Sequence, residues 1–285
     1  MRLIGATLPC GGIIRIRFEG FFSPGSLTHQ DPQRVAVKLL ELCDNCKLRF
    51  PNFFPDPRPL MNAQTDIERA RFNMVEQQIR PWDVLDQQVL DLLFELRRED
   101  FVPAQYRSLA FVDMEIPLTG NTATGEKMLA PRVEARMLQE LAIKPGDRIL
   151  EVGTGSGYMT ALLAKRGAHV TSVEIMPEFS TGAAAKLAAH GITNVTLAVG
   201  DAARGWSQSA PYDVIVLTGS VPVLVEDFQR SLKPGGRLLA VVGEAPAMQA
   251  RLITCAGGGA FDTVVLFETC IPSLRNAPQP ERFVF

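Results

Sequence analysis

The sequence predicts an α/β protein in which a doubly wound, mostly parallel sheet follows a smaller helical subdomain. Three features predict it. From Lys144 onward, short β-like runs alternate with helical stretches, and strands spaced by crossover helices pair in parallel through right-handed connections, with helices on both faces. A glycine-rich turn, EVGTGSG from Glu151 to Gly157, lies between the first of these strands and the helix after it. Upstream, Pro51, Pro55, Pro57 and Pro59 crowd the segment before Met61, where a fixed φ and a missing amide donor forbid helix or central strand.

These features set the expected organisation. Residues 1–60 are expected to be a poorly ordered extension, with Met61 as the working start and 61–285 as the working domain. Within that domain, 61–143 carries helices and 144–285 the sheet. Asp66 is placed to cap a helix whose apolar residues Ile67, Ala70, Phe72, Met74, Val75 and Ile79 share a face, with Pro81 ending it. Asp86 opens a second helix, with Val89, Leu90, Leu92, Leu93 and Leu96 as its buried stripe. The turn KPG at 144–146 leads into a strand at 148–152, the glycine loop, and a helix through Ala161 and Ala164. Strands are expected at 169–174, 195–199 and 212–217, with a helix from Pro177 to about His190 and another over about 223–232. The turn KPGG at 233–236 precedes strands at 237–242, 250–255 and 261–268.

Composition narrows the function classes. The 285 residues, 46% of them hydrophobic, suffice for a sizeable core. With 29 basic against 31 acidic side chains, no sequence-wide positive field exists to hold nucleic acid or an anionic membrane. No apolar run approaches the roughly 18 residues of a membrane span. Pro9, Arg15 and Arg17 break the pattern of a secretory leader. Five scattered cysteines do not make a disulfide framework, which favours the cytoplasm. Cys43 and Cys46 have the spacing of a metal or redox pair but lack the second pair that closes a tetrahedral site, so no metal is expected.

Ligands of doubly wound folds bind at the carboxyl ends of the strands. Gly153, Gly155 and Gly157 stand there, letting the backbone turn sharply and approach a ligand. A dinucleotide fingerprint requires Gly or Ala where this chain has Tyr158. The loop with Glu151 at its head therefore points to S-adenosyl-L-methionine (SAM) rather than NAD, so oxidoreduction is disfavoured. Glu174, about 20 residues on at the end of the next strand, is placed to accept both ribose hydroxyls. Asp201 follows the third strand and is placed to accept from the adenine amine, whereas Asp213, opening the fourth, reads as structural.

Four blocks then coincide with a known family: MVEQQIRP (74–81), REDFVPAQYRSLAFVD (98–113), KPGDRILEVGTGSGY (144–158) and LKPGGRLL (232–239). From Met61 to Leu274 the chain resembles the protein-L-isoaspartate O-methyltransferases, the second block being the specific one. The resemblance implies a Rossmann-like SAM domain and methylation of the carboxylate of isoaspartyl residues in damaged proteins or peptides. Such an acceptor is ionised at neutral pH and needs no general base, in keeping with the remote positions of His29, His169 and His190. One departure stands out. The family places a Thr-Ile-Ser segment before a proline, and GEKMLAP from Gly125 to Pro131 puts Leu129 at the serine position. Thr122, Thr124, Lys127, Thr218 or Ser220 are candidates to replace that hydroxyl, with Thr124 and Thr218 foremost. Loss of the serine also raises the alternative of a SAM enzyme with a different acceptor, and a SAM-binding protein without catalysis is a third reading. The tail from Asn276 to Phe285 is expected to be a docked end, with a clamp over the pocket as the alternative. Oligomeric state is not legible.

Overall fold

The computed structural model describes residues 4–7, 13–16, 63–120 and 125–280. Met61, His29, Cys43, Cys46, Thr122, Thr124 and residues 281–285 lie outside the described residues. The chain divides into two units, Met1–Leu60 and Met61–Phe285. In the first, strands β1 (Ile4–Thr7) and β2 (Ile13–Ile16) pair antiparallel.

The second unit begins with α1 (Ala63–Asn73), which continues as a wider π-helical turn over Met74–Ile79. Asp66 lies inside the first turn of α1, paired with Arg69 at 3.1 Å, and is not the cap expected of it. The next helix, α2 (Gln87–Glu95), is capped as its sequence indicates, the Asp86 carboxylate accepting from the Gln88 amide at 2.8 Å. Two-residue strands β3 (Ile116–Pro117) and β4 (Lys127–Met128) form an antiparallel pair, and α3 (Pro131–Glu140) follows with proline in its first turn.

Then the sheet begins. Its elements are β5 (Arg148–Val152), α4 (Tyr158–Arg166), β6 (His169–Glu174), α5 (Pro177–Ala189), β7 (Val195–Val199), β8 (Tyr212–Leu217), α6 (Glu226–Arg230), β9 (Leu232–Glu244), β10 (Ala247–Gly257) and β11 (Ala260–Thr269). The seven strands run in the order β11-β10-β9-β8-β5-β6-β7. Pairings from β7 across to β9 are parallel, while β9, β10 and β11 form an antiparallel meander at one edge. Among the described residues no helix is long and apolar enough to cross a membrane.

Buried parallel strands are apolar on both faces, and successive residues serve opposite cores. Ile149, Val214, Val216, Leu239 and Val241 pack with the N-terminal helices, α3 and α4. Leu150, Ile215, Leu217, Leu238 and Ala240 pack on the other side with Phe228 of α6. The KPGG turn is retained inside β9 as an outward loop, since Tyr212 pairs with Leu232 and Val214 with Arg237. Asp213 has a structural place there. Burial would raise its pKa, but hydrogen bonds from Lys233 and the Arg148 amide outweigh that effect and lower it.

Candidate active site

The strand order reverses at β5, with β6 on one side and β8 on the other, so a crevice opens where the loops after them part. A cleft of about 380 Å³ lies there. Gly153, Gly155, Glu174, Asp201 and Thr218 line it, as do Gly125, Glu126 and Lys127 from the acceptor-side segment and residues 272–275 after β11.

The glycine loop is locked at both ends. Gly153, at φ +100°, donates to the Val173 carbonyl at 2.8 Å, and a Cβ there would stand 2.4 Å from Thr218 Oγ1. Gly155, at φ +52°, donates its amide to Glu174 Oε2 at 2.8 Å. The Met176 amide donates to Glu174 Oε1 at 3.1 Å. A carboxylate has about four acceptor positions. Two backbone amides thus fix Glu174 while leaving acceptor capacity for a pair of hydroxyls. Asp201 accepts from the Ala203 amide at 3.0 Å and, through Oδ2, from the Asn276 side-chain amide at 2.8 Å. Ile175 and Phe179 add apolar surface to this wall. The acceptor set suits a nucleoside carrying a ribose diol. A glycine without Cβ at the crevice floor lets such a ligand come close.

Two residues expected at the cofactor do not line the cleft. Gly157, at φ +84°, faces α5, and a Cβ on it would stand 2.9 Å from that of Ala183, so its smallness serves helix packing. Glu151 is fully buried. Its Oε2 accepts from Ser172 Oγ at 2.6 Å and from Thr160 Oγ1, while Ser172 is joined to Thr154 Oγ1 at 2.6 Å. Glu151 therefore anchors the loop through Ser172 and Thr154 from behind. Its Oε1 has no partner, and burial raises its pKa to about 8 against the pull of the two hydroxyls, keeping it neutral near pH 7.

On the acceptor side, Leu129 is buried within the core cluster and its side chain does not line the cleft. Its backbone carbonyl accepts from Arg98 Nη2 at 2.7 Å. Arg98 is itself fully buried: it pairs with Glu134, donates to the Ala110 carbonyl at 3.0 Å and lies over the Tyr158 ring at 5.0 Å. Burial raises the Glu134 carboxyl to about 7, with Arg98 pulling the other way. This arginine joins the FVP segment, the acceptor segment and the first turn after the glycine loop. Thr218 Oγ1 donates toward the Val152 and Gly153 carbonyls at 2.9 and 2.5 Å, so its proton is committed to the loop. Lys127 Nζ pairs with Glu115 at 2.9 Å. Ser220 is fully buried and does not line the cleft. His169 bonds to Thr196 and His190 pairs with Asp100, and neither lines the cleft. Among the described residues no cluster of His, Cys, Asp or Glu could hold a metal ion.

Residues 272–275 carry no expectation of a site role from sequence, and Asn276 opens the tail read there as a docked end. Arg275 reaches across to Glu126 and Asn276 to Asp201, so the chain from Pro272 to Asn276 spans both walls. The only signal in the sequence was the polar run SLRN at 273–276, too far from any motif to be placed.

Residues 69–262 match the family model described as protein-L-isoaspartate(D-aspartate) O-methyltransferase. The chain is similar to protein-L-isoaspartate O-methyltransferase 1 of Rhodopseudomonas palustris, 38% identical over 67% of this chain and 76% of that one. Among solved structures, a protein-L-isoaspartate O-methyltransferase superposes with a TM-score of 0.63 at 24% identity, covering 73% of this chain and 65% of that chain. A Plasmodium falciparum protein assigned to the same enzyme class, solved in complex with S-adenosyl-L-homocysteine, gives 0.60 at 19%, covering 73% of this chain and 97% of that one.

Proposed function

Since the chain belongs to the protein-L-isoaspartate O-methyltransferase family and is a SAM-dependent enzyme methylating isoaspartyl carboxylates, we propose how its residues divide that work. Glu174, Gly153, Gly155 and Asp201 hold the cofactor. The observation carrying this reading is Glu174, pinned at the crevice by the Gly155 and Met176 amides with lone pairs to spare for a diol. When bound, SAM supplies a methyl group on a positively charged sulfur, which leaves as a neutral thioether. The chain has no proton to move, because the acceptor carboxylate arrives ionised. Its task is to align that carboxylate with the methyl and to exclude water, for which effective molarities reach about 10⁵ M or more.

Thr218 stiffens the floor by tying Gly153 to the end of β5. The 272–276 segment holds the two walls together through Arg275–Glu126 and Asn276–Asp201. Thr124 remains a candidate for the acceptor side. A different acceptor, suggested by Leu129, loses its main support because that side chain belongs to the core. We take 61–285 as the enzyme domain, damaged proteins and peptides as its partners, and the cytoplasm as its compartment. Label transfer from SAM to an isoaspartyl peptide, beside the aspartyl peptide of the same sequence, tests the reading. Transfer to the first alone is expected; equal labelling of both, or of neither, contradicts it.

A further inference from the structure

A cleft that receives a carboxylate without a hydroxyl at position 129 needs a donor from elsewhere. Among the described residues, the candidates weighed from sequence do not supply one freely, Lys127 being paired with Glu115. Thr218 has spent its proton on the loop, and Ser220 is fully buried with its hydroxyl donating to the Ile271 carbonyl at 3.0 Å. Ser273 differs. It is exposed and lines the cleft, one residue from Leu274, whose Cδ2 comes within 3.6 Å of a Cβ built on Gly153.

Ser273 is also held. The Ser220 amide donates to the Pro272 carbonyl and the Leu274 amide to the Ser220 carbonyl, each at 2.9 Å, which clamps Ser273 opposite Ser220. The two hydroxyl oxygens are 3.1 Å apart. Because Ser220 gives its single proton to Ile271, which can only accept, the bond between the serines has Ser273 as donor.

We infer that Ser273 is the acceptor-side hydroxyl of this enzyme, donating to the isoaspartyl carboxylate in place of the serine that Leu129 displaces. When the carboxylate enters, the Ser273 proton rotates from the Ser220 oxygen to the substrate oxygen. A neutral hydrogen bond is exchanged for a charge-assisted one, about twice as strong. Ser220 keeps its bond to Ile271, so the exchange leaves no buried donor unpaired. The hydroxyl moves no proton in the chemical step; it fixes which carboxylate oxygen faces the methyl.

This inference rests on the isoaspartyl reading, and its test separates the two. Wild type, Ser273→Ala and Ser273→Thr are compared in kcat/KM for an isoaspartyl peptide. Calorimetry of the same peptide in the presence of S-adenosylhomocysteine measures binding without turnover. Ser273→Ala is expected to lose about tenfold or more in both, with S-adenosylhomocysteine affinity unchanged and Ser273→Thr within about threefold of wild type. An active wild type with an equally active Ser273→Ala overturns the Ser273 assignment alone. A wild type inactive on isoaspartyl peptide overturns the functional reading and this inference with it. Equal losses in Ser273→Ala and Ser273→Thr contradict a role for the hydroxyl.

Discussion

The two walls of the cleft are built in different ways. The cofactor wall is backbone: the Gly153 amide donates to the Val173 carbonyl, and the Gly155 and Met176 amides orient Glu174. The acceptor wall is side chain: Arg98 holds Leu129, Lys127 pairs with Glu115, Arg275 with Glu126, and Ser273 with Ser220. The first is fixed by the geometry of any strand-loop-helix unit of this sheet. The second is assembled from residues far apart in sequence and can be rewired, which is how a leucine can stand where the family has serine without ending the fold.

Substitutions on the cofactor wall should therefore act on SAM binding most strongly. Gly153→Ala places a Cβ on Thr218 Oγ1 at a φ of +100°, and a loss of roughly a hundredfold in S-adenosylhomocysteine affinity is expected by calorimetry, with circular dichroism unchanged. Glu174→Gln can accept at one end only and removes the charge, so a loss of roughly tenfold is expected in the same measurement.

Glu151 tests what lies behind that wall. Its pKa is raised by burial from 4.5 to about 8 in the folded chain. Below about 4.5 both states hold the proton; above that pH the unfolded chain releases it first, so this group's contribution to stability falls as pH rises towards about 8. Between those values Glu151→Gln should flatten the slope of unfolding free energy against pH by about one proton, or about 1.4 kcal/mol per pH unit. An unchanged slope in urea titrations would contradict the neutral state assigned to Glu151. Asn276→Ala, at the point where the late segment meets the cofactor wall, should weaken S-adenosylhomocysteine binding by no more than about threefold, since the exposed Asp201 can be solvated instead.

The same contrast explains what could be read in advance. Strands β5, β6 and β8 fall where their apolar runs and flanking turns put them, because buried parallel strands carry both faces of their burial in the local sequence, and β7, a half-exposed edge strand, is set by its flanking turns. Edges were less legible. Asp66 lies within α1, α6 is shorter than the apolar pattern around Val223 suggested, and β9 absorbs the KPGG turn as a bulge.

Within the motif, spacing alone could not separate a glycine that meets a ligand from one that meets a helix. Gly157 is small because Ala183 of α5 packs on it. Glu151 looked like a cofactor contact because it opens the motif, yet its partners Thr160 and Ser172 lie on α4 and β6, behind the loop. Arg98 was visible only as part of the REDF block. Its role depends on Leu129, Glu134 and Tyr158 meeting in space. Ser273 and Asn276 carried only the polar run SLRN as a local signal, since the chain reaches the cleft again only after the antiparallel edge of the sheet.

The measurement that bears most directly on the account is kcat/KM for an isoaspartyl peptide at saturating SAM, taken for wild type and Leu129→Ser side by side. Leu129 is 4% exposed, and truncating a buried leucine costs roughly 3 kcal/mol of stability. The expected result is an active wild type and a Leu129→Ser variant that is less stable and no more active. An inactive wild type beside an active Leu129→Ser variant would show that the acceptor hydroxyl belongs at position 129 after all, and would contradict the account.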